Sequence, residues 1–309
     1  MNQEETRPPK LTVPQIINYC KEELGITFQL MGEKQAMEFL QKNNFFFRLK
    51  QYVQTCTERT EDGKYKGLDF GHLVELSTID MFLRKLLFKM TVDLEHYMKV
   101  KLVNDCQSNM ADDGYEVVES FLNQNSELWG TINQFASGSF YSDNVFLKYV
   151  EAPSVWSFVE MLSFFDFTRF YDFYYRVFWQ DSEYFKHFDS VRRLRNACAH
   201  NKSLISSFKR IPDFKSDMIT SFELQQGGLG VGSGIIAGSM KVPVLNDFSV
   251  MLSVYTRLVS STKIKEKTFQ EMKDFFDGRM VAHKDYFESY TDLRNAYRFA
   301  RCVLDHYSQ

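Results

Sequence analysis

The chain has 309 residues, of which 44% are hydrophobic and 16% aromatic, enough to bury a sizeable core. Thirty Phe and sixteen Tyr stand against fifteen Gly and six Pro, which leaves few positions for the repeated turns of small β domains. The composition therefore predicts an all-α fold. A net charge of −3 argues against a protein that coats nucleic acid non-specifically, because such binding scales with the number of phosphates neutralised. It is compatible with a local basic patch.

The sequence has no apparent membrane span, signal core or cysteine pair, and these absences predict its localisation and cofactor use. No stretch reaches the roughly 18 to 20 uncharged apolar residues of a membrane span, and the N-terminus MNQEETRPPK has no hydrophobic signal core. We expect a cytoplasmic protein with no membrane partner. The cysteines are five in number, widely scattered and never in a C-x-x-C pair, so we expect reduced thiols, no metal site and no cofactor.

The first half of the chain predicts helices separated by short polar breaks. Residues 1–10 are predicted to be a flexible leader, followed by a helix that ends near Leu24, a second helix at about 33–42 and a third that starts in the aromatic block 44–49. The polar stretch 57–67 predicts a loop. From Asp69 to about Met110 apolar residues recur at three and four residue spacing, which predicts two helices or one bent helix.

The second half continues the helical pattern with one interruption. We expect short helices at 115–124 and 144–151, one aromatic helix over 155–179 and another over roughly 183–200. The glycine-rich stretch 212–243 predicts a loop or a β-hairpin, and helices follow at 246–261, 265–276 and 284–307. Since no linker forces a boundary, residues 11–309 are predicted to form a single helical domain.

Two segments share the spacing Arg-x4-His, Arg195–His200 and Arg301–His306. With 15 Arg and 6 His in the chain, any one exact spacing is expected by chance roughly 0.3 times, so the spacing alone is weak. The first segment differs by its inner residues, which give the string R-N-x-x-A-H. It is also surrounded by further cations, Arg192, Arg193 and Lys202.

Residues five apart on a regular helix point about 140° from each other, so Arg195 and His200 converge only where the helix ends or distorts. Asn201 tolerates a left-handed conformation, which predicts that the helix ends just after His200. The small residues Ala197 and Ala199 would let another helix approach closely. The structural alternative is a basic helix end with a capping histidine.

One hypothesis is that this helix end is the active site of a ribonuclease, which must fill three chemical roles. RNA cleavage without a metal requires a base for the 2′-hydroxyl proton, an acid for the leaving 5′-oxygen and positive charge on the crowded phosphorus. One His200 and one Arg195 cannot supply all three, whereas a symmetric homodimer would bring two copies of each into one cleft. Asn196 would orient the phosphate or the histidine tautomer.

The string RNACAH resembles the R-N-x-x-A-H form of the HEPN ribonuclease motif, and the chain resembles the Abi-like (AbiD/AbiF) abortive-infection family over most of its length. Further matches follow in order along the sequence. They are Phe46-Phe47-Arg48-Leu49-Lys50-Gln51-Tyr52, similar to Y-Y-R-L-x-G-Y; Asp80-Met81-Phe82-Leu83-Arg84, similar to D-x-x-L-R; Glu95 with Lys99, similar to E-x-x-x-[KR]; and Pro153-Ser154-Val155-Trp156 with Glu160 and Ser163-Phe164, similar to P-x-W…E-x-x-S-F-G. The family's tyrosine pair and two glycines are replaced by Phe46, Phe47, Gln51 and Phe165.

The resemblance implies a helical HEPN-like core over roughly 69–211 with helical extensions on both sides, a role in phage defence and an RNA substrate. A regulatory or guide RNA is a further partner compatible with it. The alternative function is a non-catalytic RNA-binding or regulatory HEPN-like module that uses the same helix end to grip phosphate. A nucleotide-binding role for the glycine run 227–234 is a weaker rival, because the run lacks the Gly-Lys-Ser/Thr ending of a P-loop.

Supporting roles are assigned to charged residues outside the motif. Glu95 and Lys99, four apart on a helix, predict either a surface ion pair or a carboxylate that reaches the cleft and orients Arg195. Glu160 lies on an otherwise aromatic helix and is predicted to need a cationic partner. The cations expected to contact RNA are Arg192, Arg193 and Lys202.

Overall fold

A computed structural model describes residues 9–56, 58–138, 146–179 and 184–309, and within these ranges the fold is all-α, as predicted. The described residues form no extended strand, and two isolated β-bridges join Thr27 to Asp69 and Arg59 to Tyr65. The α-helices in chain order are α1 (Val13–Glu22), α2 (Glu33–Lys42), α3 (Phe46–Leu49), α4 (Phe70–Ser108), α5 (Glu116–Gln124), α6 (Leu128–Gly138), α7 (Val155–Met161), α8 (Phe164–Phe178), α9 (Phe185–Ala199), α10 (Met218–Gln226), α11 (Ser233–Ser239), α12 (Pro243–Leu258), α13 (Thr262–Asp274) and α14 (Thr291–Tyr307).

Helix α4 is one element of 39 residues, about 58 Å long at 1.5 Å per residue. It begins at Asp69, whose carboxylate accepts the Gly71 N–H at 2.8 Å. The same carboxylate accepts the Thr27 hydroxyl and the Gln29 N–H, both at 2.7 Å. One capping residue therefore starts the longest helix and ties the chain after α1 to it.

Helix α9 packs against α4, α8 and α12, and α14 covers α12. The inner faces are apolar and fully buried, as at Leu87 and Met90 of α4 and Val191 of α9. Almost every residue of α12 from Leu245 to Tyr255 is buried. The C-terminal end of α9 is thus held by long helices on several sides.

The aromatic stretch 155–179, predicted as one helix, is two helices that break at Leu162 and Ser163. The Ser163 hydroxyl accepts the Asp166 N–H at 3.2 Å and begins α8, because a serine at this position satisfies a backbone donor that a continuous helix would not leave free. Helix α6 was not predicted. Of the helix expected at 144–151, residues 146–151 are described, and they form only the short 3₁₀ turn Leu147–Tyr149. Most of the predicted leader lies outside the described residues.

The β-hairpin alternative for residues 212–243 is wrong, because this segment holds α10 and α11 joined by the glycine-rich turn 227–232. Asp217 caps α10 by accepting the Thr220 N–H at 2.8 Å. Gly228 and Gly230 adopt positive φ angles of 64° and 72°, which glycine alone takes readily. Two short helices therefore stand where the glycine content had suggested turns between strands.

None of the described helices is by itself long and apolar enough to cross a membrane. Helices α11 and α12 reach the required length and composition only as a pair, and they are bent by 106° at their junction. The apolar character of α12 matches its burial in the core.

Candidate functional site at the end of α9

Helix α9 ends at the position the sequence predicts. Its last residue is Ala199, and Asn201 adopts a φ of 53°, the only positive φ among the non-glycine residues described. The Asn201 N–H donates to the Cys198 carbonyl at 3.1 Å, and the Lys202 N–H donates to the Ala197 carbonyl at 2.8 Å. These two bonds form a Schellman cap, which satisfies carbonyls that a helix end otherwise leaves free.

His200 is the capping residue between the helix and this turn. Its backbone N–H donates to the Asn196 carbonyl at 3.0 Å, so its position is fixed by the last turn of α9. Its side chain is exposed and forms no hydrogen bond or ion pair with any residue that the structure describes. The backbone of His200 is therefore fixed by the helix end, and both nitrogens of its imidazole are open to a reactant.

Arg195 is half-buried and has no carboxylate partner within the described parts of the chain. Its guanidinium carbon lies 5.9 Å from the ring centroid of Phe164, and Nη1 donates to the Asn196 side-chain oxygen at 3.4 Å. The Nε atom is buried without a hydrogen-bond partner. Because a buried unsatisfied donor is unfavourable, this guanidinium is suited to an incoming anion.

The break before α8 places aromatic rings against the arginines of α9. Phe164, the first residue of α8, lies by Arg195, and the ring centroid of Phe165 lies 5.1 Å from the Arg192 guanidinium carbon. Arg192 also pairs with Asp189 at 2.9 Å. A guanidinium over a ring gains cation–π attraction without giving up its N–H donors. Phe164 therefore positions Arg195, whose charge no carboxylate among the described residues compensates.

A fully buried carboxylate, that of Asp80, holds the chain that follows the cap. It accepts the N–H groups of Leu204 and Ile205 at 2.9 and 3.2 Å and the Tyr52 hydroxyl at 2.6 Å, and it forms an ion pair with Arg84. Burial raises the pKa of the Asp80 carboxyl against the opposing effects of Arg84 and these hydrogen bonds. The segment after His200 is thus anchored to α4 by a network whose carboxylate oxygens both accept hydrogen bonds.

Two of the ordered sequence matches meet in this network. Tyr52 ends the stretch that begins at Phe46, and Asp80 and Arg84 are the polar ends of D-M-F-L-R. The Arg84 guanidinium also donates to the Lys202 carbonyl at 3.4 Å. Residues far apart in sequence therefore build the support of the R-N-x-x-A-H helix end.

Within the motif, burial raises the pKa of the Cys198 thiol to about 12, so this cysteine is a neutral core residue rather than a nucleophile.

The charged residues Glu95, Lys99 and Glu160 form a cluster of their own. The Lys99 amine lies 3.7 Å from a carboxylate oxygen of Glu95 and 3.7 Å from one of Glu160, so it links α4 to α7. Glu95 makes no contact with Arg195 among the interactions that the described residues form. Glu160 is half exposed, at 54% of its side chain, and its partner is a lysine. This favours the ion-pair interpretation of Glu95 and Lys99.

Arg193 is committed to the fold. Its guanidinium binds the buried Asp247 with two hydrogen bonds, Nε to Oδ2 at 3.0 Å and Nη2 to Oδ1 at 2.7 Å, and a third reaches Ser190 at 2.9 Å. This pair ties α9 to α12 across 54 positions of sequence. Arg193 is therefore held by Asp247 although its side chain is 44% exposed, and contacts of Arg193 and of the exposed Lys202 with RNA stay a prediction.

The Abi-like protein family matches residues 38–206, which is more than half of the chain. The chain belongs to the Abi-like family. Comparison with curated proteins gives no match, and comparison with solved structures gives none either. The Abi-like region contains the whole end of α9, the Asp80 network and the aromatic start of α8, whereas α10 to α14 lie beyond it.

Proposed function

We propose that this Abi-like protein is a metal-independent endoribonuclease of an abortive-infection system and that it cleaves RNA at the end of α9. The observation that carries the proposal is the half-buried Arg195 guanidinium, which has no carboxylate partner among the described residues and belongs to the same capped helix end as an exposed His200. Family membership and the resemblance of RNACAH to the HEPN motif support it.

Each residue of the motif has a distinct role in this proposal. Arg195 binds the scissile phosphate and stabilises the charge that develops on its oxygens as the 2′-hydroxyl attacks. His200 transfers a proton, either from the 2′-hydroxyl or to the leaving 5′-oxygen. Asn196, 3.4 Å from Arg195 Nη1, keeps the guanidinium oriented toward the phosphate.

We further propose that the active form is a homodimer. A base and an acid are both required, and each helix end supplies one histidine, so two copies must face each other across a two-fold axis. His200 and Ala199 are exposed, and the small alanine side chain allows a second helix end to approach closely. A composite cleft would then hold two histidines and two arginines.

Product chemistry tests the reaction directly. An end-labelled RNA is incubated with the protein in excess EDTA and the cleavage positions are mapped. We expect 2′,3′-cyclic phosphate and 5′-hydroxyl ends, and no cleavage where a 2′-deoxynucleotide replaces the ribose at the mapped position. The double variant Arg195→Ala/His200→Ala, purified in the same way, measures contaminating ribonuclease.

Two outcomes would overturn the proposal. Products with 5′-phosphate ends, or cleavage at the 2′-deoxy position, would show that the 2′-hydroxyl is not the nucleophile. RNA binding without cleavage above the level of the double variant would instead indicate the non-catalytic RNA-binding module.

A further inference from the structure

A cavity of about 260 Å³ lies between α4, the turn after α13 and the start of α14. Its walls are apolar and include Leu76 and Ile79 of α4, Met280 and Phe287 of the turn, and Leu293 of α14. The volume is near the lower end of small-molecule pockets, about 300–1,000 Å³. It suits one small organic ligand and is too small for a two-chain lipid.

A second, smaller cavity of about 50 Å³ lies next to the first, at the interface of α4, α12 and α14. The two cavities share four lining residues, and all residues around the inner one are aliphatic or aromatic. The shared residues are Ile205, Met280, Leu293 and Tyr297. The apolar lining fits an aliphatic chain better than a nucleobase and ribose, which would need polar partners.

Three exposed cations stand at the rim of the outer cavity: Lys284, Arg294 and Arg298. None of them forms an ion pair with a residue that the structure describes. Arg294 and Arg298 are four apart on α14, where like charges repel each other. Glu288 is the acidic residue of the lining, so three cations and one carboxylate give the rim a net charge of +2.

A neighbouring arginine shows that this lack of partners is local. Arg279, just before the cavity turn, donates to Glu75 of α4 with Nη2 to Oε2 at 2.7 Å. This pair also fixes the π-helical turn Phe275–Arg279 to α4, and π-helical turns occur frequently at functional sites. A paired arginine thus fixes the wall of the cavity, while the two arginines at its rim have no ion-pair partner in the described part of the chain.

We propose that this cavity binds a carboxylate with a single unbranched aliphatic chain, a medium-chain fatty acid anion. The chain occupies the apolar outer cavity, and the carboxylate accepts hydrogen bonds from Arg294 and Arg298 at its rim. An anion at this position also relieves the repulsion between the two arginines. The lining contains none of Arg195, Asn196 and His200, so this proposal is independent of the proposed ribonuclease activity.

Isothermal titration calorimetry with octanoate and with 1-octanol separates the roles of the rim and the walls. We expect one octanoate per chain and weaker binding of the neutral alcohol. The variant Arg294→Ala/Arg298→Ala should weaken octanoate binding about tenfold or more, since hydrogen bonds to charged groups are the stronger kind, and should leave octanol binding within about twofold. Val281→Trp, which fills the mouth, should abolish binding of both.

The control variant Lys34→Ala/Lys263→Ala removes the same charge from exposed positions on α2 and α13 and should bind octanoate like the unmodified protein. Circular dichroism of each variant verifies that it is folded, and Leu293→Trp is a second way to fill the cavity if Val281→Trp does not fold. Equal affinity for octanoate and octanol, no effect of the arginine double variant, or no octanoate binding at millimolar concentration would each overturn the proposal.

Discussion

Two helix ends of this protein carry the same Arg-x4-His spacing, and their surroundings are opposite. Arg301 donates to Asp277 through Nε and Nη2 at 2.8 and 2.9 Å and also pairs with Asp305. Arg195 has no carboxylate partner in the described parts of the chain, and its Nε is buried without a hydrogen bond. Arg301 is thus paired with two carboxylates, whereas the positive charge of Arg195 can attract an anionic ligand.

The histidines of the two segments also differ in their contacts: the His306 ring packs against other residues, whereas the His200 side chain is exposed. His306 packs against Gly227 so closely that a Cβ at that glycine would lie 2.2 Å from the imidazole Cε1, and its ring contacts Tyr307 at a centroid distance of 4.7 Å. His200 is exposed at a Schellman cap, with no side-chain hydrogen bond to a described residue. The spacing is therefore common to both segments, and the partners distinguish them.

The largest expected difference between the two segments is in the rate of RNA cleavage. His200→Ala should lower the single-turnover rate by about 10²–10⁴, the usual contribution of a general acid or base. His306→Ala should leave the rate within about twofold. Gel analysis of one labelled RNA with both variants makes the comparison, and similar losses for both would remove the distinction.

The second difference is in how much each supporting carboxylate contributes to the stability of the folded protein. Asp80→Ala leaves the buried Arg84 and the N–H groups of Leu204 and Ile205 without their acceptor, so it should lower the free energy of unfolding by about 3–5 kcal/mol. Asp277→Ala, at the second segment, removes a largely exposed pair and should lower it by less than about 1 kcal/mol. Urea denaturation followed by circular dichroism measures both. Equal effects would show that the Asp80 network does not anchor the first segment.

A smaller effect is expected at the cap of α9. The backbone at position 201 has a φ of 53°, which alanine tolerates less well than asparagine. Asn201→Ala should therefore lower the free energy of unfolding by about 1 kcal/mol. Asn201→Gly should leave it unchanged or raise it slightly. Asn295→Ala, at an exposed position within α14, is the matched control and should be neutral or stabilising because alanine favours helix. A loss at Asn295 as large as that at Asn201 would show that the left-handed cap contributes nothing specific.

The smallest effect concerns pH at the second segment. The hydrogen bond from Arg301 lowers the pKa of the Asp277 carboxyl, and Arg301→Ala should raise this pKa toward the ordinary value of an aspartate. Because folding lowers this pKa, the stabilisation is present above about pH 4 and is lost as the pH falls further. Carboxyl-selective NMR titration of both proteins tests this, and an unchanged pKa in the variant would contradict the pairing.

Local features of the candidate site were accessible from sequence. The end of α9 followed from Asn201 and from the limit that a helix sets on residues five apart, and both depend only on neighbouring residues. The break at Ser163 could have been found as well, because Ser163 and Asp166 have the spacing of a capping pair. The aromatic stretch has strong apolar periodicity on both sides of Ser163, and this pattern predicted one continuous helix.

Long-range partners were not accessible in this way. Asp80 meets Leu204 across 124 positions, and Arg193 meets Asp247 across 54. A sequence offers many acids to each arginine, and packing of whole helices selects among them. The sequence pattern therefore gave Arg192, Arg193 and Lys202 the same role, whereas in the fold Arg193 forms an ion pair with the buried Asp247. The same selection leaves Arg195 without a carboxylate partner among the residues that the structure describes.

The most direct test of the central claim compares the two arginines in one assay. The single-turnover rate of cleavage of one labelled RNA is measured for Arg195→Ala and Arg301→Ala, with circular dichroism to verify folding. Loss of transition-state stabilisation should lower the rate of Arg195→Ala by about 10²–10³, and Arg301→Ala should cleave within about twofold of the unmodified protein. Undiminished cleavage by Arg195→Ala, or an equal loss in both variants, would contradict the account.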